Sequence, residues 1–393
     1  MQKQDQSSLR DRRGRDLLFL GLGLALALLG LLVLYSSSAV LAARQVDGAA
    51  YYAFKQMGWF SMGLVALGLA AWCPLAMLRR LALPGMFVSL AALLLVFMPG
   101  IGRSVSSSRE SFHRWLEFGP ISFQPSEFAK LALVVYVAHT LSRRGRLISE
   151  YDMRRLLPPL ILVGVLLLLI VIEPQYGTTI CLLAVLGGMI YVSGFPMLRL
   201  VLLLGASLPL LGFLILFWEY RFERLIVWLD PYAYRHAGGY QLVTAFRAFA
   251  EGHLFGEPIA TGFAHRYLTY GHTDFILALF AEDFGLVGVL ALFVLYAAFL
   301  WRGVLLARSI EEPFAFMLAA GVLCMLVGQV LMNLAVVTGL APTTGVSLPF
   351  ISYGGSSLIV TMALTGLLFN VSRYSQALKT TDSMELVSGM VAR

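Results

Sequence analysis

Long apolar runs, separated by shorter polar segments, make up most of the chain. A transmembrane helix needs about 20 apolar residues, and ten runs approach or exceed that length. The predicted spans are 17–41, 56–77, 82–100, 125–142, 156–173, 176–193, 198–218, 275–301, 312–338 and 349–372. The pattern therefore predicts an all-α polytopic membrane protein with about ten transmembrane helices.

Basic residues are distributed unevenly between the polar segments. They cluster before the first apolar run and in alternate segments after it, as with Arg12 and Arg79. Cytoplasmic loops carry an excess of Lys and Arg, so we expect both termini to lie in the cytoplasm. The expected organisation is a basic tail at 1–16, a single transmembrane domain at 17–372 and a second tail at 373–393.

Two of the predicted extracellular segments are long, at 102–124 and 219–273. Within the second, the stretches 221–229 and 240–246 alternate polar and apolar positions at helical spacing. We expect short amphipathic helices there, lying in the outer membrane–water interface. Because connections of this length are rarely inert, the chemistry is expected beside these two segments.

Composition agrees with a membrane protein. Of the 393 residues, 59% are hydrophobic and 13% are charged, whereas soluble domains carry about a quarter charged residues. The net charge of +7 is explained by basic cytoplasmic segments, so no nucleic-acid partner is expected. Cys73, Cys181 and Cys324 lie in separate apolar runs, which fits neither a metal motif nor a disulfide framework.

Two ionisable residues lie three positions apart near the start of the fourth predicted span. At this spacing Glu127 and Lys130 share one helix face and are able to pair. One interpretation is a buried ion pair that fixes helix packing. The other is a polar cavity, open to the outside, in which Lys130 faces a phosphate or a carboxylate.

Asp274 lies where a polar loop ends and an apolar helix begins. His272 and Asp274 are too few to define a metal site, and a helix cap by Thr273 or Asp274 is the ordinary alternative. Glu282 and Asp283 follow about 12–14 Å deeper. Glu282 is expected to line the same cavity and Asp283 to pair with a neighbouring helix or face the inner half, although both have a structural alternative.

The stretch 339–357 contains several proline and glycine residues that interrupt a helix. Irregular backbone at membrane depth is tolerated where it is buried in protein or lines a cavity. We therefore expect this stretch to close over a site on the outer side.

These segments resemble the shape, elongation, division and sporulation (SEDS) family, the FtsW/RodA group. The segments that carry the resemblance are 114–120 (RWLEFGP), 123–130 (FQPSEFAK), 239–241 (GYQ), 272–275 (HTDF), 282–285 (EDFG) and 348–357 (LPFISYGGSS). The last of them is more similar to the division branch, FtsW, than to the elongation branch, RodA.

The resemblance implies a ten-helix peptidoglycan glycosyltransferase of the bacterial cytoplasmic membrane. Such an enzyme joins lipid II units into glycan strands on the outer face, together with a class B penicillin-binding protein and other divisome or elongasome membrane proteins. Asp274 corresponds to the family's proposed catalytic aspartate, and Trp115 to a functionally important tryptophan.

The hypothesis for the mechanism is that Asp274 accepts a proton from the attacking sugar hydroxyl. Lys130 and Lys55 are the candidates for stabilising the departing pyrophosphate. A divalent cation, Mg²⁺ or Mn²⁺, would serve the same purpose, but the sequence specifies no ligands for it. The residues predicted to contact substrate are Lys130, Glu127, Trp115, Lys55, Gln241, His272, Glu282, Ser352, Gly354 and Gly355.

The chain departs from the family pattern at three places. Leu-Thr-Tyr-Gly at 268–271 replaces the usual Leu-Pro-Glu, the run 256–262 keeps only part of a glycine-rich motif, and Gln175 stands where an aspartate is usual. Two alternative functions remain open on the sequence. One is a lipid II flippase that uses the same cavity, and the other is a non-catalytic scaffold of the division complex.

Overall fold

The computed structural model describes residues 16–45, 51–98, 102–106, 111–118, 121–149, 153–199, 219–268 and 271–374, with isolated positions at 201, 202, 205 and 212. Both predicted tails lie almost wholly outside these residues. The same is true of most of the seventh predicted span, 198–218.

The described residues are mainly helical. The long helices are α1 (Leu17–Gln45), α2 (Tyr51–Trp72), α3 (Leu75–Leu95), α4 (Pro125–Ser149), α5 (Met153–Ile172), α6 (Tyr176–Val192), α10 (Ile276–Arg308), α11 (Pro313–Val337) and α12 (Gly355–Val371). Between α6 and α10 lie the short helices α7 (Glu219–Leu229), α8 (Tyr240–Glu251) and α9 (Phe263–Tyr267). Helices α7 and α8 lie where the amphipathic pattern predicts them.

Within the described residues, five helices are long and apolar enough to cross a membrane. They are α1, α3, α10, α11 and α12, and α5 and α6 contain shorter apolar helices at Leu157–Ile172 and Tyr176–Val192. A multi-pass helical membrane protein is thus supported, while the total of ten spans and the cytoplasmic termini stay predictions. Two predicted boundaries were wrong: α2 ends before Cys73 and Pro74, and α12 begins at Gly355 because Pro349 and the glycines precede it.

The first long polar segment forms a small sheet, so the expectation of an all-α chain was wrong in this respect. Strands β1 (Gly102–Ser106), β2 (Ser111–Phe118) and β3 (Ile121–Phe123) pair antiparallel in the order β1-β2-β3. The sequence of β2 is rich in aromatic residues, which favour strands. The serines and arginines of this segment obscured that signal.

Close helix packing forms the core of the bundle. Helix α12 packs along α2, and α4 packs against α3 and α11. Gly366 of α12 lies directly against the Leu67 carbonyl of α2, where an added Cβ would approach the oxygen to 2.3 Å. One helical turn further along α12, Asn370 Nδ2 donates to the Ala70 and Cys73 carbonyls at 2.8 and 2.6 Å. Small residues and interhelical hydrogen bonds of this kind hold membrane helices together.

Helix α10 is kinked at Gly285, whose φ of 62° and ψ of −168° leave the helical region. The segment before α9 packs into the kink, where His253 and Leu254 carbonyls accept from Leu286 and Val287 amides at 3.0 and 3.1 Å. The backbone there comes so close that an added Cβ on Gly285 would lie 2.5 Å from the Gly256 nitrogen. Glycine is therefore required at this position.

Candidate functional site

Asp274 lies in the turn 271–275 that leads into α10. Its backbone carbonyl accepts a hydrogen bond of 2.9 Å from Asn333 Nδ2 of α11. The same amide nitrogen donates to the Val346 carbonyl at 2.9 Å, and Asn333 is 1% exposed. One buried amide thus ties the turn to the irregular segment 339–354, which we call the 339–354 loop.

The carboxylate of Asp274 is partly buried and faces the 339–354 loop. An added Cβ on Gly345 would lie 3.6 Å from its Oδ2 atom. Within the described part of the chain, this carboxylate accepts no hydrogen bond from a protein donor. Burial raises the pKa of Asp274 to about 6, although the positive charges of Arg224 and Arg114 oppose the rise.

Arg224 reaches the site from the amphipathic helix α7. Its Nη1 atom donates to the Thr343 carbonyl at 2.9 Å. One helical turn further along, Trp228 Nε1 donates to the Gly339 carbonyl at 2.8 Å. Residues four apart share a helix face, so α7 holds two points of the 339–354 loop and places a guanidinium near Asp274.

Arg114 approaches from strand β2. Its Nε atom donates to the Glu173 carbonyl at 3.1 Å, and Nη2 donates to the Pro174 carbonyl at 3.0 Å. The turn that carries these carbonyls continues into Gly177, which lies so close to Thr344 that an added Cβ would be 2.4 Å from the threonine Cβ. The arginine, the turn and the 339–354 loop are therefore packed together.

Sequence reasoning missed the role of both arginines. It treated Arg114 only as part of a family segment and Arg224 only as a polar position of an amphipathic helix. The two lie 110 positions apart and 160 and 50 positions from Asp274 respectively. No local pattern connects such distant positions, and only the fold brings their charges near the carboxylate.

An aromatic cluster borders the site. The His272 ring lies 5.2 Å from the Tyr52 ring and 5.6 Å from the Tyr353 ring, centroid to centroid. The His272 carbonyl also accepts from the Tyr353 amide at 2.9 Å. Burial lowers the pKa of His272 to about 4, so its imidazole is neutral at physiological pH. Lys55 is exposed, with its Nζ atom 6.0 Å from the centroid of the Tyr51 ring.

Three of the predicted substrate residues instead support the loop. Ser352 is buried, and its Oγ atom accepts from the Leu348 amide at 2.9 Å. The Gly354 amide donates to Gln56 Oε1 at 3.4 Å. An added Cβ on Gly355 would lie 2.4 Å from the Trp59 ring. These contacts anchor the end of the 339–354 loop to α2.

Glu127 and Lys130 form the expected pair. Lys130 Nζ donates to Glu127 Oε1 at 2.6 Å, and the lysine side chain is 2% exposed. A lysine held in this way has no open surface for a phosphate, so the structure favours the first interpretation, an ion pair within the helix packing.

Two further predicted substrate residues are partly buried: Trp115 on β2 and Gln241 in the first turn of α8.

Glu282 and Asp283 belong to a separate buried cluster. Asp283 accepts from Ser36 Oγ of α1 at 2.6 Å, and its Oδ1 lies 2.8 Å from His265 Nε2. Glu282 is completely buried and accepts from the Ala264 amide at 2.9 Å. Asp283 contacts the neighbouring helix α1, as expected. Glu282 contacts the α9 segment, and its place in a cavity shared with Asp274 stays a prediction.

A divalent cation finds no ligand set in the part of the chain that the structure describes. No three side chains of His, Cys, Asp or Glu come together there in a geometry that suits a metal ion. Among the described residues, the positive charges that act on Asp274 are those of Arg224 and Arg114.

Comparison with known proteins identifies the family. Residues 16–377 match the FtsW/RodA/SpoVE model, described as a cell cycle protein. The chain belongs to the FtsW/RodA/SpoVE family. It is 38% identical over 350 residues to a probable peptidoglycan glycosyltransferase FtsW from Saccharophagus degradans, covering 87% of this chain and 88% of that protein. An FtsW of the same description from Alcanivorax borkumensis is 36% identical, with 94% and 96% covered.

Solved structures of the family share the fold. A chain from a peptidoglycan synthase complex that coordinates polymerization and crosslinking superposes with a TM-score of 0.75 at 30% identity, covering 92% of this chain and 99% of that one. RodA of Thermus thermophilus superposes with a TM-score of 0.65 at 28% identity, covering 92% and 98%. The curated relatives described above are FtsW proteins, which supports the division branch.

Proposed function

We propose that the chain polymerises lipid II on the outer face of the bacterial inner membrane, with Asp274 as the catalytic base. The enzyme class, peptidoglycan glycosyltransferase, is that of the FtsW relatives that match most of the chain. The observation that supports the catalytic assignment is the environment of Asp274. Its carboxylate accepts no hydrogen bond from the described residues. Burial raises its pKa to about 6, and the positive charges of Arg224 and Arg114 act on it in the opposite direction.

The reaction forms one glycosidic bond and breaks one bond to phosphate. The 4-hydroxyl oxygen of the acceptor sugar attacks C1 of the donor sugar, and the C1–oxygen bond to the polyprenyl diphosphate breaks. Asp274 takes the hydroxyl proton as the attack proceeds. A carboxylate with a pKa near 6 is ionised at neutral pH and is still a stronger base than an exposed aspartate.

The leaving diphosphate carries away the electron pair of the broken bond. Arg114 and Arg224 are the groups proposed to stabilise its growing negative charge, since both lie near Asp274 and guanidinium groups bind phosphate well. This replaces the sequence-based candidates, because Lys130 is buried in an ion pair and Lys55 is exposed beside Tyr51.

The proposed partner is a penicillin-binding transpeptidase that crosslinks the new strands. Support comes from the similar chain of the peptidoglycan synthase complex, which joins polymerization and crosslinking in one assembly.

The direct test is polymerisation by the purified protein in detergent or vesicles. Wild type is incubated with labelled lipid II, and glycan chains are separated by length. We expect polymer from wild type and none above background from a folded Asp274→Ala variant. Near wild-type polymer from that variant would remove Asp274 from the mechanism.

Two other outcomes would redirect the function. Lipid II crossing vesicle membranes equally with wild type and Asp274→Ala, without any polymer, would support a flippase. Full complementation of depleted cells by Asp274→Ala, with normal glycan synthesis, would support a scaffold.

A further inference from the structure

The side-chain amide of Gln175 joins its own turn to the start of α4, which is in turn bonded to α12. The Nε2 atom donates to Glu173 Oε2 at 2.8 Å. The Oε1 atom accepts from Ser126 Oγ at 2.8 Å and from Gln124 Nε2 at 3.1 Å, both at the start of α4. The backbone N–H of Gln124 in turn donates to Ser356 Oγ of α12 at 3.1 Å.

The amide at position 175 serves as donor and acceptor at once. It donates to Glu173 on one side and accepts twice on the other, and an ionised carboxylate has no proton with which to donate. Glu173 and Gln175 are 1% and 8% exposed, so water is a poor substitute for a lost partner. The network therefore fixes the turn 173–175 against the beginnings of α4 and α12.

The turn fixed in this way also holds Arg114. Both of the carbonyls that accept from this guanidinium, at 3.1 and 3.0 Å, belong to Glu173 and Pro174. A shift of the turn by about 1 Å would carry the guanidinium with it, and displacements of that size cost as much as about 100-fold in rate when they reach reacting groups.

We propose that Gln175 is a positioning residue for glycosyl transfer, which acts through Glu173 and the turn carbonyls to hold Arg114 at the site of the departing diphosphate. This rests on the proposed function of the Asp274 site. An aspartate is usual at this position in the family, and in this chain Glu173 supplies a carboxyl 2.8 Å from the amide of Gln175.

The first experiment exchanges the two side chains. In Gln175→Glu, the donor to Glu173 is lost and two carboxyl groups face each other, so we expect kcat for lipid II polymerisation to fall about tenfold or more. In the double variant Glu173→Gln with Gln175→Glu, the amide at 173 donates to the carboxylate at 175, which still accepts from Ser126 and Gln124. We expect this exchange to restore kcat to within about threefold of wild type.

The second experiment asks whether the effect passes through Arg114. Arg114→Ala alone should lower kcat, and adding Gln175→Glu to it should cause no further loss, since the group being positioned is already absent. A residue with only a structural role would instead give losses that multiply. If Gln175→Glu does not fold, Gln124→Ala removes one donor to Gln175 and should show a smaller loss that also vanishes in the Arg114→Ala background.

Asn370→Asp is the matched control, because it also turns a buried amide into an acid, at the opposite end of α12. It should lower the unfolding temperature while leaving kcat of the folded enzyme unchanged.

The inference is overturned by near wild-type kcat in Gln175→Glu, by failure of the folded exchange variant to recover, or by losses that multiply with Arg114→Ala. Absence of polymer from wild type would instead overturn the proposed function itself.

Discussion

Asp274, in the turn before α10, and Asp283, within α10, lie nine residues apart but have opposite surroundings. Asp283 is surrounded by donors: the Ser36 hydroxyl, the His265 ring and the Ala260 amide, the last at 3.1 Å. Asp274 has a carboxylate that accepts no hydrogen bond from the described residues, and its nearby charges come from Arg114 and Arg224.

The difference separates an acid engaged in protein contacts from the acid that we propose as the catalytic base. The Asp283 carboxylate contacts three protein groups and so links α10 to α1 and to the α9 segment. A carboxylate that is partly desolvated has a raised pKa and is a stronger base, as with Asp274.

The largest expected effect comes from neutralising Asp274. Asp274→Asn removes the base and should lower the polymerisation rate by about 10²- to 10⁴-fold, with little change in the unfolding temperature. The rate is measured with labelled lipid II and the stability by thermal unfolding of the purified protein. Equal loss of rate in folded Asp283→Asn would abolish the distinction between the two sites.

Removal of a single guanidinium should have a somewhat smaller effect. We expect Arg224→Ala to lower kcat by about 10²-fold, which is typical for the loss of one group that stabilises developing charge. Arg247→Ala, which removes the exposed pair with Glu251 on α8, is the matched control and should retain wild-type kcat. A wild-type kcat in Arg224→Ala would exclude this arginine from the reaction.

The pH profile should show the ionisation of Asp274. Because the base must be deprotonated, activity should be constant above pH 7 and fall about tenfold per unit below the pKa of about 6. Arg224 lowers that pKa, so Arg224→Ala should move the midpoint to higher pH. A midpoint near 4, the value of an exposed aspartate, would contradict the burial argument.

The smallest effect on rate is expected from the buried cluster. Asp283→Asn leaves one of the donors from Ser36, His265 and Ala260 without its acceptor, so the unfolding temperature should fall. The kcat of the folded fraction should stay within about threefold of wild type. His265→Ala should destabilise the protein in the same direction, and both variants are measured by thermal unfolding alongside polymerisation.

Apolar periodicity predicted most of the helices because a membrane span is a local property of composition. It placed α1, α10 and α11 within several residues of their observed starts. It predicted that α2 extends to residue 77, close to the charged Arg79 and Arg80, whereas α2 ends at Trp72, before Pro74. It also missed the sheet formed by β1 to β3. Strand pairing depends on a distant partner, so a short polar segment gives a weak signal for it.

The sequence by itself determined that this is a helical membrane protein with a carboxylate just before α10, and the family segments predicted Asp274 as the reactive group. Only the tertiary structure decided which charges surround that carboxylate. Arg114 and Arg224 come from a strand and an amphipathic helix far away in the chain, and Lys130 is withdrawn into a pair with Glu127. Electrostatic neighbours are set by distance in space, and no spacing along the chain encodes them.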